Sequence, residues 1–554
     1  MPVSAGTSSI VLKKDMLLVP ESDRWTAFSA YRGTFVPLFV PFASSTIVHE
    51  DSVACVRNGS TLHTFSAFTG QWHTRQLPGG WLLQLGSRMA LIHTPFVGSN
   101  LAASAFDVYS GQWFDAPSQP LLTYGAQATG GTAVVSTQAM QLGFSALRPG
   151  WVQAPVTATF PFPFINGLSF EREFARGVDA VFSGIAGTFA SAPLPAATVE
   201  MHSNVATTVD VANRFVCGAG QNVWTAMPGP YLTPGSDIPM TWGNGQVHAF
   251  SPLLGTVAAT PWNQGFPSLF ASGRTVAMVF DALSGAHPVF SSFTGQWHTP
   301  PANTLAEAPY LAANCALLRT TNGVTAFAPR SASFAPLPGA TTRYNGYAAS
   351  SATTMNVFDA HGERWLSLPL QASTTLPTFG MRTMLIGDGT NMLGFAMRSR
   401  QFAAVPLPEV VAEVRASDDV GFVRTATHVL AFSGLGETVT WQDAPDGIYG
   451  VGLGATATIQ ARVPANHFVA MAFGPPAAAP LPVPLPTPFG ELWLDPGSAV
   501  VFAVAAAVGE SRAVVPIAVP NVLALRGSTW LQQTVTLAPS GGIWLGAPST
   551  LLVQ

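Results

Sequence analysis

The sequence predicts an all-β protein of about twelve four-stranded blades on three observations. An aromatic hairpin signature returns roughly every 37 residues, Asn-Gly turns fall between apolar runs, and no window holds a sustained helical period. The signature is plainest in Phe65-Ser-Ala-Phe-Thr-Gly-Gln-Trp72, Phe106-Asp-Val-Tyr-Ser-Gly-Gln-Trp113 and Phe290-Ser-Ser-Phe-Thr-Gly-Gln-Trp297. A unit too small to bury its own apolar face must stack on copies of itself, which is the logic of propellers and solenoids.

Each element of the repeat has a physical reading. The anchors are Phe28, Phe65, Phe106, Phe144, Phe182, Phe250, Phe290, Phe327, Phe358, Phe395 and Phe432, with Val216 in the slot between Phe182 and Phe250. Seven residues later stand Phe35, Trp72, Trp113, Trp151, Phe189, Trp297, Phe334, Trp365 and Phe402; Trp224 and Trp441 come slightly later, and Val257 is the weak case. That offset around a tight turn sets the two aromatics opposite each other on antiparallel strands, a pair that contributes roughly 0.2–1 kcal/mol. Glycines five residues after an anchor (Gly33, Gly70, Gly111, Gly187, Gly255, Gly295) suit a type I turn followed by a left-handed residue in a G1 bulge. Asp107 and Asp359 can cap that turn, and prolines such as Pro155, Pro261, Pro369 and Pro406 close the strand beyond it. Upstream, Asn58-Gly59, Asn244-Gly245 and Asn322-Gly323 mark a second hairpin. With one more short strand, each unit holds four, the content of a propeller blade.

Twelve blades exceed the typical four to eight of one ring. The sequence therefore predicts two propellers, six plus six or seven plus five, with the first split falling at the turn-rich stretch around Gly229-Pro230. The expected domains are 1–229, 230–445 and a tail, 446–554, whose short strands and Pro475–Pro486 crossing suit a β-sandwich.

Composition bounds the function. Only 9% of residues are charged and 48% are hydrophobic, against about 25% charged in ordinary domains; Lys13 and Lys14 are the only lysines. A net charge of −4 without a basic stripe excludes a nucleic-acid footprint. The longest apolar run, Ala499 to Val508, is about half of what a membrane helix needs and reads as a buried strand. The opening Met1-Pro-Val-Ser-Ala-Gly-Thr7 lacks the pattern of a secretory leader, which leaves a cytosolic chain or a leader already removed. Cys55, Cys217 and Cys315, odd in number and on separate repeats, read as small buried apolar residues.

No catalytic, cofactor-binding or metal-binding residue is assigned. Glu171 and Glu173 share a strand face and read as solvated. His73 and His298 recur with the blade and so read as structural. Arg57, Arg319 and Arg424 recur late in a strand before the turn, and either line one ring face as anion or glycan contacts or pair locally. Phe65, Trp72, Phe106, Trp113, Trp151, Phe290, Trp297, Phe358 and Trp365 read as structural repeat positions.

Through Phe106-Asp-Val-Tyr-Ser-Gly-Gln-Trp113 and Phe358-Asp-Ala-His-Gly-Glu-Arg-Trp365 the repeats resemble a Kelch-type propeller, although they lack a glycine doublet in every blade. The tail, with its Leu-Pro stretch, Trp493-Leu-Asp-Pro496 and closing Leu-rich strand, is similar to C-terminal sandwich domains of secreted bacterial repeat proteins, which implies export and assembly. The Phe106–Trp113 stretch also resembles the tryptophan-docking motif of quinoprotein propellers, but its Trp follows the glycine two residues too soon. The expected function is a non-enzymatic, extracellular or envelope scaffold that binds protein or carbohydrate, or assembles as a homo-oligomer or surface array. The alternative is a propeller enzyme acting on glycans, or less favoured a quinoprotein-like oxidoreductase.

Overall fold

In a computed structural model, described for residues 1 and 9–434 less connecting segments, the chain folds as a ring of antiparallel blades. The segments left out are 78, 95–101, 118–122, 138–139, 147–149, 156–173, 177–179, 184–187, 192, 194–197, 203–204, 210–213, 219–222, 230, 234–236, 253, 263–268, 282–284, 286, 313, 330, 361–362, 371–376, 381–382 and 397–400; beyond 434 the strands and residue 539 are described. The expected pair Glu171 and Glu173 therefore lies outside the described residues, as does Gly187.

Twelve sheets follow one another along the chain: blades 1 to 12 at 11–38, 46–76, 82–115, 123–155, 174–191, 198–226, 231–261, 269–298, 310–338, 342–369, 378–406 and 413–433. All have four strands in simple up-and-down order except blades 5 and 12, which show three among the described residues. The middle two strands of blade 1, Met16–Pro20 and Trp25–Ser29, are buried along their whole length, and those of the other blades are mostly buried, whereas the fourth strand carries exposed and half-buried positions. Period-2 alternation on the outer edge and continuous apolar sequence in the middle follow from a blade sandwiched between two others.

The register sets Phe28 opposite Phe35, Phe65 opposite Trp72, Phe106 opposite Trp113, Phe144 opposite Trp151 and Phe290 opposite Trp297. Phe182 faces Phe189, Phe327 faces Phe334, Phe358 faces Trp365 and Phe395 faces Phe402 in the same way. Ring centroids in these nine pairs lie 4.7–5.4 Å apart, a geometry that adds about 0.5–1.5 kcal/mol per pair beyond burial. The partners are unequal. The anchors of blades 1 to 11 are 0–3% exposed, whereas the five tryptophans opposite them are only half-buried.

The turn between third and fourth strands differs in detail from the expected G1 bulge. Ser29 pairs directly with Thr34, so the loop has four residues without a bulge, and Gly33 N–H closes it onto Ser29 O at 2.8 Å. Gly70, Gly111, Gly255 and Gly295 do the same at positive φ. Ala332 and Glu363 take the same slot at φ 54° and 51°, so left-handed backbone is not by itself what demands glycine. At Gly111 the reason is space: a Cβ there would lie 2.3 Å from the His73 ring of the preceding blade. The Asn-Gly hairpins also divide. Asn244-Gly245 is a two-residue turn with both φ positive, but Asn58 ends its strand and Gly323 begins one.

One ring, not two, is what these blades form. The expected seam at Gly229-Pro230 is packed: Val216 and Met227 of blade 6 cluster with Phe250 and Val257 of blade 7, and the Thr241 hydroxyl donates to Pro228 O. Blade 12 instead meets blade 1. Asp15 N–H donates to Asp51 O, Ser52 N–H to Ser87 O and Arg88 N–H to Gly130 O, and Asp419 N–H makes the same bond to Lys14 O at 2.9 Å. Val420, Phe422 and Val429 share an apolar core with Phe28, Phe65, Phe106 and Phe144. The split at 229 and its seven-plus-five variant both give way to this closed circuit, because copies of one wedge offer the same face to any neighbour.

The tail begins earlier than expected. Thr440–Trp441, read as the last repeat position, pairs with Thr456–Arg462, not with blade 12, and Arg512–Ala518 completes that sheet. A second sheet joins Ile448–Val451, Ser549–Val553, Thr529–Leu537, Phe468–Gly474 and Val500–Ala506, with Ile543–Leu545 beside it. The long apolar run thus lies in a strand, Val500–Ala506, and no helix among the described residues is long and apolar enough to cross a membrane.

Candidate functional site

An up-and-down blade sends its 1–2 and 3–4 turns to one face of the ring and its 2–3 turns and crossings to the next blade to the other. On the first face the polar groups join blades together. In blades whose anchor is followed by serine, that residue is the joint: Ser29 Oγ accepts from Arg32 N–H at 3.0 Å and donates to Ala67 O of blade 2. Ser66, Ser251 and Ser291 donate likewise to Val108 O, Ser292 O and Pro329 O of the following blade. Ser433 of blade 12 donates to Ala30 O of blade 1 at 2.5 Å. Asp107 takes the serine's place in blade 3, accepting from Tyr109 N–H and Ser110 N–H, and burial pushes its carboxyl up to about 6. Across successive turns Tyr31 stacks on Phe68 at 4.0 Å, and Phe68 meets Tyr109 tilted at 4.4 Å.

The recurrent tryptophans and histidines are joints as well. Trp72, Trp151, Trp297 and Trp365 donate Nε1–H to the preceding blade, at Val36 O, Phe114 O, Ala258 O and Ala335 O, over 3.0–3.2 Å. His73 and His298 each meet a threonine hydroxyl at 3.1 Å, and their rings lie 5.5 and 5.6 Å from the next blade's Phe106 and Phe327. Burial lowers the pKa of both imidazoles. The three cysteines are free and buried, with thiols pushed up to about 12.

The crossing face carries the candidate site. Between blades 7 and 8 lies a cavity of about 400 Å³ lined by Trp262, His287, Thr260, Thr299, Thr304 and a run of prolines, Pro300 and Pro301 among them. The long crossing 299–309 forms its wall and is tied back to blade 9 by Leu305 N–H to Arg319 O at 2.9 Å and by the Thr304–Thr320 bridge. Buried His287 stacks on Phe280 at 4.7 Å and reaches Glu307 O at 3.1 Å. Further round the same face, on blades 9 and 10, Tyr310, 44% exposed, lies under the Arg343 guanidinium at 4.6 Å, and Arg343 pairs with Glu307 at 3.0 Å. Burial lowers the Arg343 pKa, an effect that Glu307 opposes.

Of the arginines singled out in the sequence, Arg319 alone lies near Arg343, donating to Thr341 O at 2.7 Å. Arg57 is exposed and donates to Gly59 O, and Arg424 pairs with Glu413 at 3.4 Å. They sit on blades 2, 9 and 12 and do not converge, and each has a local partner. Trp262, His287, Glu307, Tyr310 and Arg343 went unnoticed because they lie off the repeat positions. The signal for them is the break in spacing at 299–309, against the short crossing at 339–341 after blade 9. Hydroxyls, an indole and a stacked guanidinium can bind a ligand with polar edges and apolar faces.

No family model matches the chain, and no curated protein matches it. Solved structures align with it at low similarity. The extracellular domain of the one component system BT4673 from B. thetaiotaomicron is 6% identical over 100% of this chain and 99% of that one, with a TM-score of 0.18. PorZ of Porphyromonas gingivalis, a surface component of the type-IX secretion system, is 10% identical over 98% and 80%, at 0.20. AztD from Citrobacter koseri is 10% identical over 53% and 85%, at 0.22. Scores this low carry no argument, so the propeller rests on this chain's own strand pairing.

Proposed function

We propose that the protein is a non-enzymatic, exported scaffold: a Kelch-like ring that binds carbohydrate or protein through its crossing face, with 446–554 forming a β-sandwich for attachment or assembly. The observation that carries this reading is the contrast between faces. Serine, aspartate and backbone groups of the turn face are taken up in joints between blades, whereas the crossing face offers a cavity between blades 7 and 8 and, on blades 9 and 10, an exposed Tyr310 under a positioned Arg343. Low charge supports export, since few ionised groups are needed where Ser, Thr and backbone wet the surface.

The test is titration of neutral oligosaccharides, acidic oligosaccharides and proline-rich peptides against tryptophan fluorescence. A saturable change for one class, weakened at least tenfold in Tyr310→Ala with unchanged melting temperature, is expected. Turnover of a glycan, or saturable binding that Tyr310→Ala leaves intact, overturns the reading.

A further inference from the structure

Among the described residues Asn-Gly occurs at four hairpin turns, 58–59, 244–245, 322–323 and 345–346, and only the first pair is left open. The second and third strands of blades 2, 7 and 9 share one two-residue loop, which the Asn-Gly pair enters at three different registers. In blade 9 the loop is Thr321-Asn322, closed by Thr320 against Gly323; in blade 7 it is Asn244-Gly245, closed by Gly243 against Gln246; in blade 2 it is Gly59-Ser60, closed by Asn58 against Thr61. In each, the second loop carbonyl accepts the N–H of the first residue of the next crossing: Asn322 O from Gly339, Gly245 O from Trp262 and Ser60 O from Leu77, at 2.7–2.9 Å. That tie falls on the Asn-Gly pair in blades 7 and 9 and misses it in blade 2.

Packing divides the four pairs in the same way. Gly323 and Gly346 are buried, and a Cβ on them would lie 2.3 Å from Leu337 O and from the Leu311 carbonyl carbon. Asn345 is held further, its Nδ2–H donating to Gly380 O at 3.4 Å and its carbonyl accepting from Tyr347 N–H at 2.7 Å. Gly245 is exposed but tied through its carbonyl, behind an Asn244 at φ 53°. Asn58 and Gly59 are both exposed, and nothing lies within 4 Å of where a Gly59 Cβ would stand. Beside them the Arg57 guanidinium donates to Gly59 O at 3.1 Å.

We propose that Asn58-Gly59, with Arg57 beside it, is a self-modification site at which water converts asparagine to aspartate and isoaspartate. The deprotonated Gly59 nitrogen attacks Asn58 Cγ; that N–C bond forms, the Cγ–Nδ2 bond breaks, and ammonia leaves with the proton. Water then opens the resulting five-membered imide. Cleavage at Cγ gives aspartate, and cleavage at the main-chain carbonyl gives isoaspartate; the net change is amide plus water to carboxylic acid plus ammonia, with no oxidation. The Arg57 cation stabilises the negative charge carried first by the nitrogen and then by the tetrahedral oxygen, and a unit charge about 4 Å away shifts such an equilibrium roughly fivefold in water. The product sets a carboxylate next to Arg57 and, as isoaspartate, adds one backbone atom to the pair that closes the blade 2 hairpin.

Peptide mapping by mass spectrometry tests this on the full chain held in warm, mildly alkaline heavy-oxygen water, with guanidinium-unfolded chain alongside. Unfolded, the four pairs have the same chemistry and are expected to convert within about threefold of one another. Folded, Asn58 is expected to convert at least about tenfold faster than Asn322 and Asn345, which must open locally first, with Asn244 between them and one heavy oxygen in each product. Arg57→Gln should slow Asn58 at low salt and match the wild type in about 1 M salt, where screening acts over roughly 3 Å. Asn58→Gln, whose ring would need six members, should stay intact at that position. Folded Asn322 or Asn345 converting as fast as Asn58, an Asn58 that converts only when unfolded, or an Arg57→Gln rate equal to wild type at low salt overturns the proposal.

Discussion

Blade 2 and blade 12 carry the same joint and differ in the roof over it. In blade 2, Phe65 is fully buried beneath Trp72 at 5.1 Å, and Ser66 donates to blade 3. In blade 12, Ser433 makes the equivalent bond to blade 1, but Phe432 has no aromatic across from it among the described residues and stays half-buried. Circular closure therefore combines serine and backbone bonds near the turn face with the apolar core shared by blades 12 and 1, and the aromatic pair is a separate layer on each blade's outer edge. The serine joint is present in blade 12, where no aromatic roof lies among the described residues, so the two are separate contacts.

The largest effect expected from breaking this comparison is at the anchors. Phe65→Ala should cost about 4 kcal/mol, as buried Phe truncations do, and Phe432→Ala about 1–2 kcal/mol because it is only half-buried; urea unfolding of both variants measures the difference, and equal losses would contradict the half-buried state of Phe432. Next comes the roof itself. Trp72→Ala should cost about 2 kcal/mol, less than a fully buried tryptophan, through lost area and the lost bond to Val36 O. The joint is smaller again: Ser66→Ala removes one donor and one turn acceptor, about 1–2 kcal/mol, and should raise hydrogen exchange on both sides of the blade 2–3 boundary, not within blade 2 alone.

The pH response sharpens the contrast between blades of serine and aspartate type. The depressed pKa of His73 and His298 means that the unfolded chain takes up protons first, so stability falls as pH drops below about 6.5. Asp107 has the opposite sign: its contribution is present below about pH 4 and is lost as pH rises toward 6, because the unfolded carboxyl ionises first. Thermal melts from pH 4 to 8 should show a shallower acid limb in His73→Asn and a relative gain above pH 6 in Asp107→Ser. The smallest expected change is Arg319→Ala, within about 0.5 kcal/mol as for surface positions, with any larger effect appearing in ligand titration.

Much of this was legible in the sequence because the repeat encodes local geometry. An offset of seven residues determined that Phe106 faces Trp113, since a four-residue turn admits no other register without a bulge. Proline at the end of the fourth strand was equally local; the glycine of the turn was not, since at Gly111 the preceding blade's His73 leaves no room for a Cβ. The candidate site was not legible, because Trp262 meets His287, and Arg343 meets Tyr310, only when neighbouring blades stand side by side. Their residue types match those of any solvated loop.

By itself, then, the sequence determined the blade: strand order, the buried anchor and the opposing aromatic all follow from side-chain periodicity and turn length within about 40 residues. The number of blades in the circuit, the partner of blade 12 and the seat of Trp441 were decided only in three dimensions. Near-identical wedges have near-identical faces, so no local residue states which wedge is the last. That choice belongs to the sum of small angular differences around the ring, closed where Asp419 meets Lys14 and Ser433 meets Ala30.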